Sequence, residues 1–191
     1  MTQPRAIGNP FRVVSRRVIY RGRVIELVEE TLERHGRRMV RETIRHPGAV
    51  VIVPMLDARH LVFVRQYRRA VGRYLLELPA GTLDRHETPA QCAKRELEEE
   101  TGWRATHLKR LGKFYAAPGV LSEQLTIFLA TGLARTRAHP EADEELEPVT
   151  LTMTQALAAV RSSRICDGKS IIGVLFAHER MACDLSQSSV H

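Results

Sequence analysis

Residues Gly81–Trp103 read GTLDRHETPAQCAKRELEEETGW, and the organisation of the chain turns on them. Thr88 suits a helix N-cap, Pro89 the first helical position, and Gln91 completes a T-x-x-Q capping box. Gly102 suits the left-handed position that stops a helix. The spacing therefore predicts a helix over 89–101. Its second half carries Glu96, Glu98, Glu99 and Glu100. Residues at i, i+3 and i+4 share a helix face, so Glu96, Glu99 and Glu100 stand together. Like charges so placed disfavour an isolated helix, by roughly a few tenths of a kcal/mol per pair. A divalent cation reverses that sign, because hard ions such as Mg²⁺ take carboxylate oxygens and complete their shell with water and substrate phosphate. Taken alone, the three glutamates read first as a solvated acidic face, and as a metal site second.

The wider stretch is more specific. It fits G-x5-E-x7-R-E-U-x-E-E-x-G-U, where U is a bulky apolar residue. Gly81, Glu87, Arg95, Glu96, Glu99, Glu100 and Gly102 fill the fixed places, with Leu97 and Trp103 at apolar ones. At about 6% usage per residue type, seven chance identities come to roughly 10⁻⁹ per start position. The stretch resembles the signature of the Nudix hydrolases. That resemblance implies a Mg²⁺-dependent hydrolase (Mn²⁺ as substitute) of a nucleoside diphosphate linked to another moiety. It also implies an α/β (α+β) fold, an α/β/α sandwich on a mixed sheet. By the same resemblance Glu96, Glu99 and Glu100 hold the metals, joined by the backbone carbonyl of Ala80. Arg95 and Glu87 stand beside them in a more architectural role, with Arg95 able to reach Glu99 at i+4.

Outward from the helix, the chain reads β-rich, helix, β-rich, helices, which is α+β or mixed α/β. Val13 to about Val53 is strand-like, with HGRR (residues 35–38) as a hairpin turn. GAVVIVPML and HLVFVRQYR are two strands divided by a turn, and YLLELPAG is one short strand ending at a Pro/Gly break. Beyond the helix come strand-like HLKRLGKFYA, a loop APGVLSE, the strand QLTIFLATGL, and a polar loop over residues 134–148. Two helices, TQALAAVRS and KSIIGVLFAHERM, complete the pattern. Residues 1–10 read as loose. The expected division is a β-rich N-terminal extension over 1–46, serving dimerisation, and a hydrolase domain over 47–191.

RQYRRAVGRYLLELPAG, YAAPGVLSEQLTIFLA and CDGKSIIGVLFA resemble the ADP-ribose pyrophosphatase subfamily, with Pro118 fifteen residues beyond Trp103. Arg68 follows a buried-looking strand and suits either a substrate diphosphate or a surface salt bridge. Glu77, entering the catalytic loop, suits either a ribose hydroxyl or structural pairing. The subfamily resemblance implies that Glu123 is the general base on a movable loop, with Glu99 as the alternative, and that Gly119 in the same loop lies at the substrate. It also implies a homodimer whose N-terminal segment helps bind adenine, with Arg41 and Glu42 at the matching positions. An extension this small is not stable by itself, which independently favours a partner surface. The implied reaction is cleavage of ADP-ribose to AMP and ribose 5-phosphate; the alternative is another nucleoside diphosphate sugar, GDP-mannose or ADP-glucose.

Composition removes other classes. The chain has 191 residues and net charge +7, almost all of the excess being arginine, with lysine only at 94, 109, 113 and 169. No basic tract with interleaved aromatics argues for nucleic acid or RNA-end processing. No run of eighteen apolar residues suggests a membrane span, and no apolar leader is evident. Three cysteines, none at metal spacing, read as reduced thiols of a cytoplasmic protein. A non-catalytic ADP-ribose sensor is the reading of a different class. Every carboxylate of the signature is kept, and residues after 181 are too few for a winged helix.

Overall fold

The computed structural model describes residues 9–138 and 145–188. Most of residues 1–10 and part of the polar loop over 134–148 lie outside them. The chain falls into two compact units, Met1–Pro47 with Ala117–Glu123, and Gly48–Ala116 with Gln124–His191.

The first unit is an antiparallel meander of β1 (Arg12–Arg21), β2 (Glu26–Arg34) and β3 (Arg37–Arg45). Its β2–β3 turn falls within the HGRR stretch. His35 and Gly36 both take positive φ, 51° and 72°, which a two-residue hairpin matched to strand twist requires. Between β1 and β2 the register sets Arg12, Arg16, Arg17 and Arg21 opposite Glu33, Glu30, Glu29 and Glu26, and each arginine pairs with its facing glutamate. Opposite charges across a ladder pin a register that alternation alone would leave loose. APGVLSE is a loop as expected, but it is tied to β3. Ile44 N–H donates to Val120 O at 2.8 Å and Ser122 N–H to Ile44 O at 2.9 Å. His46 N–H donates to Ser122 Oγ at 3.0 Å.

The second unit is built around β4 (Ala49–Pro54), which is buried along its whole length. Purely apolar strands are what a sheet covered on both faces demands. β4 runs parallel to β9 (Gln124–Arg135) and antiparallel to β7 (Ala80–Thr82), and β8 (Trp103–Tyr115) completes a mixed sheet of order β7-β4-β9-β8. Alternate residues of β4 serve two cores. Val50 and Ile52 pack with Cys92, Ala93 and Leu97 of α1 (Pro89–Thr101). Val51 and Val53 pack with Ala156 and Ala159 of α2 (Met153–Arg161) and Val174 and Ala177 of α3 (Gly168–Ser188). The sheet therefore has helices on both faces, the expected sandwich. A second, antiparallel sheet has the order β10-β5-β6, with β5 at His60–Arg68, β6 at Arg73–Glu77 and β10 at Leu146–Thr152.

Three expectations are corrected. YLLELPAG is two strands: the chain leaves β6 after Glu77, crosses at Leu78–Pro79 and enters the other sheet as β7. Pro79 has no N–H to continue a ladder, while its carbonyl accepts from Ile52 N–H at 2.8 Å. Residues 146–148, read as part of a polar loop, begin β10, which pairs with β5 from Leu146–Gln66 to Thr152–His60. Pro148 has no N–H for a ladder, and β10 is an edge strand, the place where a sheet tolerates proline. β8 begins at Trp103, immediately after the helix stop rather than near His107.

Candidate active site

α1 begins and ends where its caps predict. Thr88 Oγ accepts from Gln91 N–H, Gln91 reaches back to the cap, and Gly102 sits at φ 67° and ψ 28° with its N–H on Glu98 O. These caps fix where the helix begins and ends, and the packing of Cys92, Ala93 and Leu97 with Val50 and Ile52 sets its rotation and with it the direction of the glutamate face.

Arg95 is the hub of that face. Its Nε and Nη2 donate to the two oxygens of Glu87, each at 3.0 Å. Its Nη1 lies between Glu96 Oε1 at 2.8 Å and Glu99 Oε2 at 3.0 Å. One guanidinium thus offsets the repulsion of the i, i+3 pair and ties the helix to the loop before it. Hydrogen bonds from Arg95 hold the Glu87 carboxyl below the ordinary carboxylate range. Glu87 in turn, with Glu96 and Glu99, raises the pKa of Arg95 and keeps it charged. Glu100 is 4% exposed and accepts the Ala80 N–H at 3.2 Å. A Cβ on Gly81 would lie 1.8 Å from Glu96 Oε1, so glycine is what lets the Glu96 carboxylate lie against the β7 backbone. Cys92, buried behind this face, has its thiol pKa pushed up by burial and by the neighbouring Glu87 and Glu96, which leaves it inert.

The hard oxygen donors Glu96, Glu99, Glu100 and the Ala80 backbone match a divalent cation in kind. Among the described residues no three acidic, histidine or cysteine side chains converge on one point. Two do converge, Glu96 and Glu99, and a cationic nitrogen of Arg95 stands between them. The donor chemistry fits a metal, with the glutamate side chains in a cation-bridged arrangement.

Beside the box lies a second charged cluster. Glu77, 1% exposed, receives Arg68 Nε at 3.0 and 3.1 Å and Arg68 Nη2 at 2.6 Å. Lys169 Nζ also bonds Glu77 Oε2, and reaches Asp167 Oδ2 at 2.8 Å. Burial pushes the Glu77 carboxyl up, but Arg68 and Lys169 outweigh it and hold the group below the ordinary range. Of the two uses expected for Glu77, pairing is the one these contacts display. Arg68 is 38% exposed at its side chain and is also acted on by the charge of Glu100. Sequence reasoning assigned no role to Asp167, Lys169 or Ser170. The signal was present in DGKS, where Asp167 stands three residues before Ser170 as an N-cap does, and Asp167 Oδ2 accepts from Ser170 N–H at 3.1 Å.

In the first unit, Glu123 Oε1 faces His46 Nδ1 at 3.7 Å. Arg41 and Glu42 are exposed on β3, with Arg41 Nη1 donating to Val40 O at 2.8 Å. Gly119 is exposed in open space.

Comparison with known proteins shows the family of the chain. Residues 45–166 match the NUDIX domain model. The ADP-ribose pyrophosphatase of Bacillus subtilis is 34% identical over 86% of this chain and 91% of its own length. That of Mycobacterium tuberculosis is 37% identical over 88% of this chain and 83% of its own. A crystal structure of an ADP compounds hydrolase superposes with a TM-score of 0.82, at 24% identity, over 92% of this chain and 96% of the other. With its complete signature set out on α1 and the loop before it, the chain belongs to the Nudix family of hydrolases.

Proposed function

We propose that the chain hydrolyses the pyrophosphate bond of ADP-ribose to AMP and ribose 5-phosphate. The observation that carries this reading is the intact glutamate face of α1, framed by Arg95 and Gly81. Its relatives over most of the chain include two ADP-ribose pyrophosphatases. Glu96, Glu99, Glu100 and the Ala80 carbonyl would hold Mg²⁺, with Mn²⁺ as substitute, which supplies charge neutralisation on the pyrophosphate and a more acidic bound water. Arg68 takes a substrate phosphate through the edge not used on Glu77. Glu123 accepts the proton of the attacking water, with Glu99 as the alternative base. The water oxygen forms the new P–O bond, and the bridging P–O bond breaks with its electrons on the departing phosphate. Gly119 offers backbone beside the substrate. Arg41 and Glu42 contact adenine from the second subunit of a homodimer. Cys92 and Cys166, both free thiols, support a reducing compartment, the cytoplasm. Among the described residues no helix is long and apolar enough to cross a membrane.

A panel of ADP-ribose, ADP-glucose, GDP-mannose and dinucleotides, with Mg²⁺ or Mn²⁺, tests the reading. ADP-ribose is expected to give the highest kcat/KM, and excess chelator to abolish turnover until metal is restored. Preferred cleavage of GDP-mannose, or full activity in chelator, would overturn it.

A further inference from the structure

The charged cluster at the start of α3 closes on itself. Leu78 N–H donates to Ser170 Oγ at 2.7 Å, and Ser170 Oγ donates to Asp167 Oδ2 at 3.0 Å. Asp167 Oδ2 accepts from Lys169, Lys169 also holds Glu77, and Glu77 holds Arg68. Glu77 adjoins Leu78, so the ring returns to its start, and it spans the crossing between β6 and β7 that leads into Ala80. Two features go beyond fold support. Glu77 is buried and takes two cations where one arginine fork would satisfy both its oxygens. Arg68 spends Nε and Nη2 on that carboxylate and makes no hydrogen bond through Nη1 among the described residues.

The charges explain the second cation. Arg68 and Lys169 are positive, and Glu77 and Asp167 negative, so the cluster is neutral and the outer edge of Arg68 can attract an anion. Without Lys169 the cluster carries a net negative charge next to that edge. We propose that Lys169 is a positioning residue for anion recognition: by sharing Glu77 it leaves the outer edge of Arg68 effective toward a substrate phosphate. The inference rests on the reading above, in which Arg68 meets the diphosphate.

The test uses the full chain and two measurements. One is metal-free titration with inorganic pyrophosphate; the other is KM and kcat on whichever nucleotide sugar of the panel is cleaved best. Lys169→Met is expected to weaken pyrophosphate binding and raise KM by about tenfold, the scale of one charge-assisted contact, with kcat changed less. Lys169→Arg, which keeps the cation, is expected to stay near wild type. The double variant Glu77→Gln/Lys169→Met returns the cluster to neutrality and is expected to regain most of the lost affinity, although it has fewer contacts than the single variant. A purely structural lysine predicts the reverse, with the double variant at least as impaired as the single. That outcome, unchanged binding in Lys169→Met, or failure of the Met variants to fold, overturns the proposal. If no nucleotide sugar is cleaved, the activity assignment fails while the pyrophosphate titration still judges the lysine.

Discussion

At the scale of single residues, the site depends on what is absent as much as on what is present. Gly81 lacks the Cβ that would collide with the Glu96 carboxylate. The collision runs from the carboxylate in to Cγ of Glu96, so the side chain has to take another rotamer while the backbone of β7 and α1 stays in place. Gly81→Ala is therefore expected to lower kcat by about tenfold or more while the melting temperature shifts little, because the displaced group is a proposed metal ligand whose chemistry is worth several kcal/mol. Thermal melts read beside initial rates check this, and a large loss of stability with unchanged kcat would refute it. Glu123 poses a different question. Glu123→Gln keeps size and removes basicity, so kcat is expected to fall by roughly 10²–10⁴-fold with substrate affinity nearly unchanged. Near-normal turnover in that variant, with Glu99→Gln inactive but still binding metal, would move the base to the helix.

At the scale of elements, α1 is a helix whose ends are chemically specified. The Thr88–Gln91 box satisfies donors that the first turn leaves open, and Gly102 takes a φ of 67° that a Cβ resists. Thr88→Ala is expected to cost about 1 kcal/mol. Gly102→Ala should cost about 1–2 kcal/mol from backbone strain; its Cβ would also come within 3.0 Å of Ala138 N. Denaturant titration compares the two, and equal stability of Gly102→Ala and wild type would show that the cap is not needed. The APGVLSE segment is constrained in the same spirit. Its main-chain bonds to Ile44 mean that the proposed motion of Glu123 would involve β3 as well, rather than a loop swinging by itself.

At the scale of the molecule, the first unit leaves much apolar surface in water. All ten residues of β1 are exposed, among them Val13, Val14, Val18, Ile19 and Tyr20. An edge strand of that kind invites a partner. The proposed homodimer is expected to appear in light scattering at micromolar concentration. Paired charges in place of Val18 and Tyr20 should convert it to monomer and lower kcat/KM through the lost adenine contact. A fully active monomeric wild type would contradict both.

What the sequence by itself determined is what lies close along the chain. The bounds of α1, its caps, the shared face of Glu96, Glu99 and Glu100, the Arg95–Glu99 pair and the 35–36 turn all follow from local geometry and short-range chemistry. What only the tertiary structure decided joins distant segments. The crossing at Leu78–Pro79 depends on which sheet each half of YLLELPAG finds. β10 exists because β5 offers it an edge despite Pro148. Glu77 is held by Lys169, ninety-two residues on, and no periodicity encodes a contact of that length. Burial then made the difference in kind: a carboxylate at 1% exposure must find cations wherever the fold brings them.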